Sequence, residues 1–551
     1  MTFTLFTADF DRRVADTLQR WRVPGVAFSV LHKESTWSKG YGLADIESKA
    51  PVEPATTLFF GASTTKAHLC AAWAIYLASD ANQSKPLDER IGWRTPMATI
   101  IPQDFVLSEP TRTAQVTLED CLSHRTGLPR HEMSTKKGTL RQITRNLRHL
   151  PMHNSLREEH EYCNQMFFAA SYALEVVTGK PVSAFMKEAL WQPLDMQYTY
   201  GGLRDARGAG GSIAQGYSWS KFASDPEWEN VELIKESALD APERSGAGFI
   251  VTTVDDYAKW MRAFLQPSTG PLNDDIVKNL WAPRSHLSPH DPINIPFEGV
   301  LAYGLGWFIT TYKSHLVHWH TGEIDGYGAL VMLVPSLELG VSFLSNGQTA
   351  HTSLKGLAVD LIDILLGDSR HEVLEKMDRF FINDSREHAE KNRTARQRLY
   401  PDAPPTPTIP LTLALKDYLG TYRNIAYGPI TLNFLHFGDS TTQFDSTTYL
   451  VCRTMENHSL PRTFTFTHIN AENWLVTRFQ TGTPVVNPDN SPYRTALRAR
   501  TLVSTAGQVV SLVLHSCIHF YYLHCVVAFL SSLASGFSCS VIVLTLVHRR
   551  Q

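Results

Sequence analysis

An α+β layered domain followed by a small antiparallel β domain is the architecture that the order of elements predicts. Three observations predict it. Val26-Ala27-Phe28-Ser29-Val30-Leu31 reads as a buried strand near the start, and Leu316–Trp319, Ala329–Val334 and Gly340–Leu344 follow much later at hairpin-like intervals. Helical stretches such as Ala67–Leu77, Met166–Val177 and Asp255–Leu265 lie between them, the long insertion that an α+β layer needs. Further on, Pro401 to Pro410 holds five prolines, and short alternating strands with turn residues run from Leu411 to about Leu514.

These shifts divide the chain. Residues 1–368 form the α+β domain, 369–410 a solvated charged helix with a stiff Pro-rich linker, 411–514 the β domain and 515–551 an apolar tail. In that tail, Cys525 to Val547 carries no charge and ends in His548-Arg549-Arg550, long enough to serve as a membrane anchor through 525–547 or to be a tail unrelated to the folded body. A total of 551 residues calls for two or more domains, and 43% apolar with 19% charged residues is an ordinary globular balance. The net charge is −3 and there is no long basic run, which argues against nucleic acid as a partner. The seven scattered cysteines show no paired metal spacing and suit free thiols in a reducing compartment. The first ten residues are too short and too acidic for a secretory signal, so a cytoplasmic location is expected and Asn82, Asn383, Asn392 and Asn457 should carry no glycan.

Chemistry enters at Ser63-Thr64-Thr65-Lys66. A serine and a lysine three apart share a helical face, where the amine can take the hydroxyl proton. The same spacing recurs at Ser134/Lys137 and Ser218/Lys221. Context favours Ser63. Thr57–Phe60 reads as a strand, Gly61 breaks it, and the run after Lys66 reads as a buried helix. Ser63 then lies at a helix N-terminus, whose unpaired N–H groups favour an oxyanion; an ordinary N-cap is the alternative. Ser134 falls in the polar stretch 133–138, read as a surface loop.

Such a serine needs a base and a proton donor. Tyr162-Cys163-Asn164 precedes the Met166–Val177 helix and supplies a phenol and an amide, with a plain surface-loop tyrosine as the alternative. The same spacing at Tyr422-Arg423-Asn424 lies in the β domain. Strand alternation puts His318, His320 and Gly322 on one face, and Gly322 permits close approach. Zinc on His315, His318 and His320 is disfavoured because no cysteine or carboxylate completes the spacing; a solvated edge-strand histidine is the plainer alternative. No metal and no cofactor is called for.

The order Ser63-x-x-Lys66, Tyr162-x-Asn164, His320-x-Gly322 resembles the serine hydrolases of the class C β-lactamase and penicillin-binding-protein family. The flanks agree: Leu122–Leu128 resembles "LLSHTSGL", Trp191–Met196 the "PLGM" turn, Gly246–Asp256 "AGGLVSTAxD" and Tyr303–Trp307 "YGLGW". The likeness spans about residues 12 to 350. It implies an antiparallel sheet flanked by helices, plus a helical subdomain, with the site between them. It also implies Ser63 as acylated nucleophile, Lys66 helping to deprotonate it, Tyr162 as general base and then proton donor to the leaving group, and Asn164 orienting Lys66 and substrate. The backbone N–H groups of Ser63 and Glu323 would form the oxyanion hole, and His320 would stand for the lysine of "KTG". A histidine there is similar to the esterase, D-aminopeptidase and acyltransferase branches and implies a small, apolar ester, thioester or amide as substrate. Aromatics Trp219, Phe222, Trp228 and Phe297, in loops expected to shape the pocket, point the same way, with plain loop packing as the alternative. An acyltransferase of secondary metabolism and a non-catalytic binding protein are the competing readings. Asp417–Asn424 with Tyr427-Gly428 resembles the opening of the lipocalin-like barrel often appended to these hydrolases, with Gly507–Leu512 as its last strand.

Overall fold

The computed structural model describes residues 5–219, 231–267, 270–348, 350–434, 449–454, 458, 462–480, 495–505, 508–516 and 540–546. Its centre is a nine-stranded antiparallel sheet. In space the strands run Ala50–Pro51, Ser35–Asp45, Gly25–His32, Leu339–Ser345, Tyr327–Val334, His315–Ile324, Phe308–Tyr312, Leu301–Tyr303 and Ser285–Leu287. The first long strand lies beside the last, with Val26 opposite Ser345 and Val30 opposite Val341. Both are covered on two faces, which is why they read as unbroken apolar runs rather than alternating ones.

Each face has its own core. One is covered by the helices Ala8–Arg20, Lys355–Leu365 and Glu372–Arg393, centred on Phe10, Trp21, Phe28, Trp319, Phe343 and Phe381. The other meets the helical insertion, where Thr65–Ala78 and Asn164–Thr178 are buried almost all round. The Glu372–Arg393 helix is therefore not simply solvated. Its Val373, Met377 and Phe381 stripe packs inward, with the Phe381 ring edge-on to Trp21 at 4.5 Å.

The C-terminal part is a closed antiparallel barrel of sequential strands from Gly420–Asn424 to Ser540–Leu546. Its last strand corrects the expected organisation. Val509–Ser516 is followed around the barrel by Ser540–Leu546, which pairs with it and with Gly420–Asn424, placing Leu546 opposite Tyr422. Part of the apolar tail thus closes the barrel, a use that its β-branched residues Val541, Ile542, Val543 and Thr545 suit. Residues 525–539 and 547 of the expected anchor lie outside the described residues. Among the described residues no helix is long and apolar enough to cross a membrane. Tyr422 fills the barrel core, and Asn424 accepts from the N–H groups of Ala426 and Tyr427, so both serve the barrel. Cys70, Cys121, Cys163 and Cys452 are buried free thiols.

Candidate active site

The Thr57–Phe60 strand stops at Gly61, and Ala62 turns the chain with φ +46 before a single 3-10 turn, Ala62–Thr64, runs into the Thr65–Ala78 helix. A left-handed alanine costs of order 1–3 kcal/mol, strain that tends to persist where it aims a functional group. Here it aims Ser63, which keeps 8% of its surface exposed. Ser63 Oγ lies 3.1 Å from Lys66 Nζ, and the amine also donates to the Ala247 carbonyl at 2.7 Å. Burial pushes the Lys66 amine well below the usual lysine range; Arg130 and Arg244 push the same way and the Glu132 carboxylate opposes them. A neutral amine beside a hydroxyl is equipped to accept its proton.

The helical wall supplies the phenol. The Tyr162 ring sits 4.8 Å from Lys66 Nζ and 4.8 Å from the Arg130 guanidinium, with His124 stacked on it at 4.2 Å. His124 accepts from the Cys163 N–H at 3.0 Å, and burial holds its imidazole neutral. Asn164 departs from expectation. Its amide donates to Glu132 Oε1 at 2.6 Å, and its Oδ1 has no partner among the described residues, so it does not orient Lys66 directly. Glu132 is also 3.5 Å from Arg130 and 3.7 Å from Arg244.

The sheet wall is the His315–Ile324 strand, which is interior, so His320 is not a solvated edge histidine. His320 is 1% exposed, and burial lowers its pKa to about 3. Its Nδ1 donates to the Thr321 carbonyl at 2.6 Å and its Nε2 accepts from the Tyr303 hydroxyl at 3.1 Å. It is a neutral frame for Tyr303, not a cation. Gly322 has a steric reason: a Cβ there would lie 2.3 Å from the Gly61 carbonyl oxygen and 3.1 Å from the Ala62 Cβ. Only glycine lets this strand run against the turn that carries Ser63. Burial raises the next carboxyl, Glu323, to about 7.

The fold thus places Lys66 beside Ser63 and Tyr162, Tyr162 6.4 Å ring to ring from His320, and the strand of Gly322 and Glu323 against the turn that carries Ser63, with Asn164 held at Glu132. The rival serines serve structure. Ser134 is 3% exposed rather than on a surface loop, donating to the His131 carbonyl at 2.7 Å, and Ser218 donates to Gln348 at 2.5 Å. His318 stacks on Trp281 at 4.0 Å, and no three metal-ligating side chains converge among the described residues. Two of the aromatics expected around the pocket do not line it. Trp219 and Phe297 belong to the core on the opposite face of the sheet; Phe222 and Trp228 lie outside the described residues. Sequence reasoning missed Arg130, Glu132, Arg244 and Tyr303 as wall residues. Tyr303 stood inside a quoted motif and Arg130 two residues after another, but only packing shows what they touch.

A family model described as Beta-lactamase matches residues 10–364. The unguisins hydrolase of Aspergillus campestris is 35% identical over 501 residues, covering 88% of each chain, and that of Aspergillus violaceofuscus is 34% identical over 88% of this chain and 85% of its own. The octameric penicillin-binding protein homologue from Pyrococcus abyssi shares the fold, with TM-score 0.56 at 15% identity over 92% of this chain and 97% of its own.

Proposed function

The chain belongs to the β-lactamase family of serine hydrolases, and from that premise we propose that it opens an amide or ester bond of a small molecule through an acyl-enzyme on Ser63. The observation that carries this reading is the 3.1 Å approach of the buried Lys66 amine, which burial pushes well below the usual lysine range, to Ser63 Oγ. Lys66 takes the hydroxyl proton as Oγ attacks the carbonyl carbon. The oxyanion is held by the backbone N–H groups of Ser63 and Glu323. The new ammonium is stabilised by the Ala247 carbonyl and by Glu132. Tyr162, beside that ammonium, gives its proton to the leaving nitrogen or oxygen and regains one from Lys66. Water then attacks the acyl ester with the same groups as base, releasing the acid and restoring Ser63.

The neutrality of His320 supports a substrate that needs no cation at that position. The two Aspergillus relatives, similar over 88% of this chain, are named for hydrolysing unguisins, and we extend that substrate class to this chain. The test is intact mass spectrometry and product analysis of wild type and Ser63→Ala with unguisins, aryl esters, thioesters and a cephalosporin. An acyl adduct on wild type alone, with unguisin turnover, is expected. Faster cephalosporin hydrolysis than ester or unguisin hydrolysis would overturn the substrate assignment. An adduct that clears only with an added alcohol or amine would convert hydrolysis into acyl transfer.

A further inference from the structure

The barrel touches both walls of the cleft. On the sheet wall, the turn after Glu323 carries Asp325, and Arg462, the first residue of the barrel strand Arg462–Asn470, meets it with two prongs. Nη1 donates to Oδ2 at 2.9 Å and Nη2 to Oδ1 at 3.2 Å, with the side chains only 10% and 12% exposed. On the helical wall, the barrel's Tyr427 hydroxyl donates to His131 Nδ1 at 2.6 Å, while His131 Nε2 donates to the Pro151 carbonyl at 2.9 Å. His131 immediately precedes Glu132, the partner of Asn164. Lys136 and Asn146 donate to the carbonyls of Ile425 and Ala426 in the same barrel turn, each at 3.0 Å.

We infer that Arg462 of the barrel is a positioning residue for the reaction, fixing the Asp325 turn so that the backbone of Gly322 and Glu323 stays against Ser63. This rests on the acyl-enzyme reading above. A two-pronged, nearly water-excluded guanidinium–carboxylate bond is directional as well as attractive, so it sets where the turn lies and not merely that it is attached. Electrostatics give the turn a reason to need it. Burial first and Asp325 second raise the carboxyls of Glu323 and Glu236, and Arg462 is the counter-charge from the barrel for Asp325 and Glu236. Gly322 leaves no slack, since its strand already touches the Gly61 carbonyl. A shift of the turn is therefore passed straight to the nucleophile loop. Tyr427 pins the same barrel to the opposite wall, so the barrel braces the width of the cleft.

The experiment uses the full chain. Arg462→Gln, Asp325→Asn, Arg462→Lys and the exchanged pair Arg462→Asp with Asp325→Arg are compared with wild type and with Arg423→Gln, a change at an exposed barrel residue. Each is read by the rate of fluorophosphonate labelling of Ser63, by kcat and KM on p-nitrophenyl acetate, and by melting temperature. The expected result is a fall in kcat and labelling rate of about tenfold or more in Arg462→Gln and Asp325→Asn with KM within about twofold, because a misplacement near 1 Å is enough to slow a positioned reaction strongly. Arg462→Lys and the exchanged pair should recover part of it, and Arg423→Gln should behave as wild type. Unchanged kcat in both single variants, or losses that only track the melting temperature, would show that the pair merely docks the barrel. Wild type that resists labelling would overturn the Ser63 reading, and this inference with it. Asp325→Asn, the smaller change, keeps the test decisive if Arg462→Gln does not fold.

Discussion

Ser63/Lys66 and Ser134/Lys137 share one spacing and nothing else. Lys66 is fully buried, faces its serine at 3.1 Å and is pressed toward the neutral form by burial and by two guanidiniums. Lys137 is exposed, and Ser134 turns its hydroxyl to the His131 carbonyl while accepting from Gln165 at 3.1 Å. Loss of water is what pushes an amine toward the form that accepts a proton, so spacing without burial carries no chemistry. The serine differs as well. Ser63 is presented by a strained turn against a glycine-bearing strand, whereas Ser134 is consumed by a local turn.

The comparison breaks most directly at the serines. Ser63→Ala should lower turnover by on the order of 10³-fold or more with the fold intact, as measured by steady-state kinetics and melting. Ser134→Ala should leave labelling of Ser63 unchanged and cost about 1 kcal/mol in chemical denaturation, the worth of a lost buried hydrogen bond. If Ser134→Ala were the inactive variant, the contrast would be reversed. Next come the lysines. Lys66→Ala should cost about 10²- to 10⁴-fold in kcat/KM. It should also erase an acid limb that in wild type falls below the ordinary lysine range, since the amine must be uncharged to work. Lys137→Ala should leave both rate and pH profile as they are.

A third test addresses the presentation of Ser63. Gly322→Ala forces a Cβ against the Gly61 carbonyl, and backbone cannot yield as a flexible side chain can. A loss of about 10²-fold in labelling rate is expected with a modest fall in melting temperature. An active Gly322→Ala would mean that the approach of strand and turn is not needed. The smallest effect concerns pH and stability. Burial lowers His160 and His320 to about 3, whereas a free imidazole titrates near 6.5. Between those values the unfolded chain binds more protons than the folded one. Stability is therefore fully present above about pH 6.5 and is lost as pH falls toward 3. Melting followed across that range should show a shallower decline in His320→Asn than in wild type; an equal slope would place the titrating groups elsewhere.

Much of the fold was legible because its signals are local. Val26–Leu31 lies within the observed Gly25–His32 strand, Thr57–Phe60 is a strand with those bounds, and Ala67–Leu77 lies within the Thr65–Ala78 helix. The misreadings share one cause. Whether Glu372–Arg393 is solvated, whether Ser134 is exposed and whether Ser540–Leu546 belongs to the barrel or to a tail beyond it each depends on a distant partner. Those partners are Trp21, Gln165 and the Gly420–Asn424 strand respectively.

From sequence alone came the residue types, their order and the family likeness, because helix periodicity, strand alternation and a glycine at a close approach are properties of neighbouring residues. Tertiary structure alone decided which serine meets a buried lysine, that His320 is an uncharged frame bonded to Tyr303, that Asn164 answers to Glu132, and that Arg462 and Tyr427 reach Asp325 and His131 from more than a hundred residues away. The reason is electrostatic as well as geometric. A titratable group takes its charge from the water it loses and the charges it meets, and both are set by residues that the chain brings together only on folding.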